Sequence, residues 1–194
     1  MIRTTNNVFK VLEVLFSNKF FTYHNISKKT KLSVMGVSKI INKLREANIV
    51  DVESIGKSKI PKLVLKKDNI EVFALTEKFK FNEFLEKHGK LKGFLLTLKD
   101  GLDTDFSLIF GSYASDEKSA ASDLDVLIIS SKDNIKNFNR AKSLVDIEVN
   151  PIFIKKEDFI KEFKKGHRLY GEIINGKRVL INGEYKFWEM LILL

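Results

Sequence analysis

The hydrophobic pattern divides the chain into three stretches. In the first, Val8, Val11, Leu12 and Leu15 fall at helical spacing and predict an amphipathic helix over residues 5–18. Thr22 is placed to cap a short second helix that carries Ile26 and ends near Lys31. Ser33 is placed to cap a third, whose inward face is Val37, Ile41 and Leu44. Two strands follow, over residues 49–52 and 62–65, around a Gly- and Pro-punctuated basic tip at residues 53–61. The second stretch reads as two helices. Asp68 is placed to cap one that runs through Val72, Leu75, Phe79, Phe84 and Leu85 to near Gly89. The other carries Leu91, Phe94, Leu95 and Leu98 and stops by Gly101. The Phe-rich faces here (Phe73, Phe79, Phe81, Phe84) suit core packing or a homodimer interface.

The third stretch alternates strands and helices. Ser107 to Phe110 is an apolar strand, followed by Gly111-Ser112, a short helix over 115–121 and a second strand over 123–129. A helix over 134–143 leads to a third strand within 146–154. A helix, a short strand and a closing helix with Trp188 complete the chain.

Charge sharpens this division. The sequence carries 34 Lys+Arg against 25 Asp+Glu, a formal charge of +9. Residues 1–67 hold 14 basic and 4 acidic side chains, a net of +10, so the whole surplus sits in the first stretch. The absence of cysteine excludes a disulfide framework, a thiolate zinc site and a cysteine nucleophile, and fits a reducing, cytoplasmic setting. The opening MIRTTNNVFK lacks a secretory apolar stretch, and the apolar run at 190–194 is too short to cross a bilayer. No membrane role is expected.

Three helices followed by a basic hairpin is the order of a winged helix-turn-helix. The outward face of the third helix offers Met35, Gly36, Ser38, Lys39, Asn42 and Lys43, small or polar groups suited to base edges and phosphates. The hairpin adds Lys57, Lys59 and Lys62. The string SKKTKLSVMGVSKIINKLREANIVDVESIGKSKIPKLVL resembles the MarR- and ArsR-like winged-helix families. That resemblance implies a third helix in the major groove of double-stranded DNA, a wing on the backbone, and a homodimer.

In the third stretch, strand parity puts Asp123 and Asp125 on one face at the start of an otherwise apolar strand. Two adjacent carboxylates repel unless a cation lies between them. A hard divalent ion such as Mg²⁺ (or Mn²⁺) takes such ligands and shares substrate phosphates. The backbone at Gly111 and Ser112 is suited to holding phosphate oxygens. The residues alone therefore point to a metal–phosphate site.

The segment FGSYASDEKSAASDLDVLI resembles the Gly-Ser…Asp-x-Asp signature of the DNA polymerase beta-like nucleotidyltransferase superfamily, and the likeness runs over residues 104–192. It implies a nucleoside triphosphate substrate, two-metal transfer of a nucleoside monophosphate, and a third carboxylate on the next strand. Asp146 and Glu148 both have the parity for it; the run IEVNPIFI resembles the matching segment of small prokaryotic members and favours Glu148. The catalytic and metal-binding set implied is thus Asp123, Asp125 and Glu148. One departure stands out. Ser115-Asp116 replaces the family's basic residue and Gly, and the extra carboxylate opposes phosphate binding.

The expected fold is α+β: a winged helix-turn-helix domain (1–67), a helical connector (68–100) and a small mixed-sheet nucleotidyltransferase domain (101–194). The expected function is a DNA-binding protein with Mg²⁺-dependent nucleotidyl transfer to a hydroxyl on a protein, an RNA or a small molecule. A self-regulated toxin–antitoxin component fits that description. The alternatives are a transcriptional regulator whose second domain senses nucleotide without catalysis, and an RNA-modifying nucleotidyltransferase.

Overall fold

The computed structural model describes residues 5–17, 20–56, 58–115 and 123–194. Helix α1 (Asn6–Leu15) buries Val8, Val11, Leu12 and Leu15, the stripe its spacing predicts. Helix α2 (Tyr23–Thr30) is capped by Thr22, whose hydroxyl accepts from the Asn25 amide while the Asn25 side chain accepts in return. Helix α3 (Val34–Glu46) is capped by Ser33 and buries Val37, Ile41 and Leu44. Against these pack the wing strands β1 (Val50–Ile55) and β2 (Ser58–Leu63), antiparallel with Ile55 opposite Ser58. The strands extend into what the sequence reads as a nine-residue tip. Gly56, at φ +59, begins a turn tight enough to leave only two residues between them.

Asp68 does not cap the next helix. A single 3₁₀ turn, Lys67–Asn69, precedes α4 (Ile70–Lys87), and the residue at the junction is Asn69. Its buried side chain donates to the backbone oxygens of Asn48 (2.9 Å) and Val64 (2.8 Å). Those carbonyls lie at the turn after α3 and the exit of the wing, so an amide with two N–H donors satisfies both where a carboxylate could not. Helix α5 (Lys92–Gly101) follows through a second 3₁₀ turn.

The remaining strands form a mixed sheet in the order β5-β4-β3-β6: β3 (Phe106–Phe110), β4 (Leu124–Ile129), β5 (Val149–Ile154) and β6 (Val179–Asn182). β4 and β5 are parallel; the other pairs are antiparallel. Between the strands lie α6 (Gly111–Ser115), α7 (Ile135–Lys142), α8 (Lys156–Lys164) and α9 (Arg168–Ile174), and α10 (Glu184–Leu193) closes the chain. The sheet buries both faces. Leu108, Leu127, Ile129 and Leu180 pack with α8, α9 and α10, and this core continues without a break into α1, α3 and β1. Ile109, Val126, Ile128 and Ile181 pack on the other face with α5 and α7.

Helix α4 serves both cores. Ile70 and Phe73 lie in the first, Phe81, Phe84 and Leu85 in the second, so its Phe-rich faces are core. Phe79 stacks on Phe9 of α1 at 5.2 Å. Where the two halves meet, the fully buried Arg178 forms an ion pair with Glu77 of α4 and donates to the carbonyls of Ile173 (2.9 Å) and Ile174 (3.1 Å). Its guanidinium also lies 4.3 Å from the Phe187 ring, 5.5 Å from Trp188 and 5.9 Å from Phe16 of the first stretch. No helix among the described residues is long and apolar enough to cross a membrane.

Candidate functional site

Three segments build the acidic site. β3 ends at Phe110, which pairs with Asp125 across the ladder, so the chain turns into α6 directly beside that carboxylate. Gly111 makes the turn at φ +70, and a Cβ there would stand 2.4 Å from Asp125 Oδ2. Only glycine allows both the backbone conformation and the approach. A short helix, α6, occupies Gly111–Ser115; of the helix expected over 115–121, residues 116–121 lie outside the described residues.

Asp125 is half-buried and Asp123 is exposed just before β4 begins. Burial raises the Asp125 carboxyl above its ordinary value, and the Asp123 charge adds to the effect. A hydrogen bond from Asn150 works against it. Asn150 stands directly opposite Asp125 in the parallel register, and its Nδ2 is 3.4 Å from Asp123 Oδ2. One amide thus serves both carboxylates at the place where they need positive charge.

The third carboxylate is expected at Glu148, with Asp146 as the alternative, and both lie just ahead of β5. The parity argument allows Asp146 and Glu148 but assumes that the strand includes them. β5 starts at Val149, and both acids precede it. The Glu148 carbonyl accepts from the Leu124 amide (2.9 Å), alongside the start of β4, but its carboxylate lies 3.7 Å from Lys142 Nζ on α7. Among the described residues no three His, Asp or Glu side chains gather closely enough to hold a metal ion. Asn150, which sequence reasoning passed over because only acids were considered, shares the required parity and occupies the position next to Asp125. An asparagine offers a carbonyl acceptor as well as an amide donor. Asp123 and Asp125 could hold a hard divalent ion, with the side-chain oxygen of Asn150 as a further donor.

The second candidate surface is the outward face of α3. Met35 is 70% exposed, Lys39, Asn42 and Lys43 are exposed, and Gly36 and Ser38 are half-buried. Lys59 is exposed on β2. Lys62 is engaged instead, 2.5 Å from Glu53 and 5.2 Å over the Phe20 ring. Lys57 lies outside the described residues, as does Asp116 of the Ser115-Asp116 departure. Ile55, not singled out from the sequence, is 54% exposed beside the turn of the wing.

Residues 95–185 match the family described as polymerase beta, nucleotidyltransferase. The match takes in β3, α6, β4, Asn150 and β6, so the acidic pair and the Gly111 turn lie within a nucleotidyltransferase-type domain. Residues 2–62 match the family described as TFIIE alpha subunit, which supports a DNA-binding region of winged-helix type at the N-terminus. The chain therefore joins a nucleotidyltransferase-type domain to a DNA-binding region. No curated protein and no solved structure matches it.

Proposed function

We propose that this is a DNA-binding protein whose C-terminal domain, 101–194, binds a nucleoside triphosphate with Mg²⁺ and transfers its nucleoside monophosphate to a hydroxyl acceptor. The observation that carries the reading is the Asp123–Asp125 pair against the side-chain-free Gly111, within a domain that matches the nucleotidyltransferase family. Mg²⁺ bound there supplies charge neutralisation for the departing pyrophosphate. Asp123 and Asp125 would hold the ion, the side-chain oxygen of Asn150 would be a further donor, and the backbone at Gly111 and Ser112 would receive phosphate oxygens. The acceptor oxygen bonds to the α-phosphorus, the bond from that phosphorus to the bridging oxygen breaks, pyrophosphate leaves, and the hydroxyl proton passes to water. The MarR/ArsR-like N-terminal region, 1–67, reads duplex DNA through Met35, Gly36, Ser38, Lys39, Asn42 and Lys43, as a homodimer on paired half-sites.

The test is incubation with α-labelled nucleotides and Mg²⁺. Label should move from wild-type reactions to a protein, RNA or small acceptor, and Asp123→Asn should lose that transfer. Failure of every nucleotide and acceptor would sink the reading.

The second reading is a transcriptional regulator whose C-terminal domain binds nucleotide without transferring it. Asn150 favours it, because the residue opposite Asp125 is an amide, which takes no proton from an acceptor hydroxyl. Under this reading nucleotide changes DNA affinity while no label is transferred, and Asn150→Asp creates measurable transfer.

A further inference from the structure

A cleft of about 530 Å³ is lined by residues of both the winged helix and the nucleotidyltransferase-type domain. It lies between α1, α2 and α4 and opens against Ala114 of α6 and the turn at Gly176. Neither candidate surface above uses it. Its walls carry Lys10, Lys29, Lys31 and Lys80, against the carboxylates of Glu13 and Glu83. Lys10 is 3.8 Å from Glu83, and Lys80 Nζ donates to the Gly176 carbonyl at 3.1 Å. Lys29 and Lys31, at the end of α2, are exposed, and Lys29 Nζ lies 5.3 Å over the ring of Phe21, a half-buried aromatic of the same wall. A smaller cavity of about 350 Å³ shares Lys80, Glu83 and Ala114 and carries the space on to Tyr113.

We propose that this cleft is a second nucleic-acid site, one for a single strand, separate from the duplex-reading face of α3. The exposed ammonium groups of Lys29 and Lys31, with that of Lys10 on the facing wall, suit a chain of singly charged phosphodiesters. The two interspersed carboxylates disfavour a compact, highly charged anion such as a free triphosphate. A positively charged groove with an aromatic platform is the arrangement that holds single strands, because every base has a face to stack. A cleft of this volume takes a drug-sized guest, which matches a nucleotide or two and excludes a duplex. Ala114, on the cleft wall, lies three residues after Gly111, about 4.5 Å of helix rise. The site stands whether or not the protein transfers nucleotide.

The test is fluorescence anisotropy of the full chain with a labelled single strand of about twelve nucleotides, and separately with a labelled duplex, across a salt series and without nucleoside triphosphate. Wild type should bind the single strand at low salt. Lys10→Gln/Lys29→Gln/Lys31→Gln should weaken that binding by about tenfold or more and flatten the log affinity–log salt slope by about 2, at roughly 0.7 per lost phosphate contact. Duplex affinity should change by less than about threefold. Lys39→Gln/Lys43→Gln should do the reverse, and the triple Lys→Arg variant should retain single-strand binding. The single exposed-site variant Lys29→Glu reads the same loss if the triple variant is poorly folded. No single-strand binding by wild type, an unchanged affinity in the cleft variants, or an equal loss of single strand and duplex would overturn the proposal. Nucleotide transfer is scored independently. Strand binding without transfer sinks the catalytic reading and leaves the cleft; transfer without strand binding does the opposite.

Discussion

The outward face of α3 and the acidic site at the start of β4 are assembled in different ways. The first is one helix, so spacing in the sequence decides which residues lie together. The second takes Gly111 from α6, Asp125 from β4 and Asn150 from β5, and only the register of those strands decides who meets whom. They also differ in cost. The α3 side chains Lys39, Asn42 and Lys43 remain in water, whereas Asp125 is half-buried beside a second carboxylate, a disfavoured arrangement kept where a cation or substrate repays it. A surface built from one element is easy to read and cheap to alter. A site built from three is neither.

The largest effect that could break this comparison is at the acidic pair. Asp123→Asn/Asp125→Asn should lower nucleotide transfer by at least about a thousandfold, the loss of several kcal/mol of charge stabilisation, while duplex binding stays intact. If transfer persists, the pair is not the site.

The joint between the regions comes next. Arg178→Ala leaves Glu77 buried and unpaired and should cost about 3–5 kcal/mol in urea unfolding. The volume-conserving Arg178→Met/Glu77→Leu should recover most of it. Equal losses in both variants would show that packing rather than charge governs the joint.

Gly111→Ala tests whether backbone geometry or charge positions Asp125. The positive φ alone should cost about 1–2 kcal/mol, and displacement of Asp125 Oδ2 should depress transfer beyond that loss of stability. Unchanged activity would mean that Asp125 tolerates displacement.

On α3, Lys39→Gln/Lys43→Gln should flatten the salt slope of duplex binding by about 2, near 0.9 per phosphate contact. A change at one base position with an unchanged slope would instead assign these lysines to base edges.

The smallest effect is on stability. Because Asp125 has a raised folded-state value, its ionised form opposes folding at neutral pH. That opposition fades as pH falls from the raised value through the ordinary carboxylate range. Asp125→Asn should therefore be slightly more stable than wild type at neutral pH, with the difference closing in acid. A difference independent of pH would trace it to packing.

The misread elements have a common cause. Thr22 and Ser33 cap the helices that their positions predict, because capping involves neighbours three residues away. Asp68 fails as a cap because Asn69 has a distant task, holding carbonyls from the α3 turn and the wing. At Glu148, period-two parity gives a side, not a start. With β5 beginning at Val149, Asn150 stands opposite Asp125 and Glu148 lies 3.7 Å from Lys142. Residues 68–100, expected as a helical connector, contribute to two cores. The length of α4 is legible, but not that its two ends pack against different sets of partners.

By itself the sequence determined the stripes of α1 and α3, the caps at Thr22 and Ser33, the +10 charge of the first 67 residues and the paired acids after Gly111-Ser112, all readable along one segment. The tertiary structure decided what depends on distant segments meeting. It set Asn150 beside Asp125, buried Arg178 against Glu77, and opened a lysine-lined cleft between two regions whose charges had looked unrelated. Register and packing are collective, so no local pattern encodes them one residue at a time.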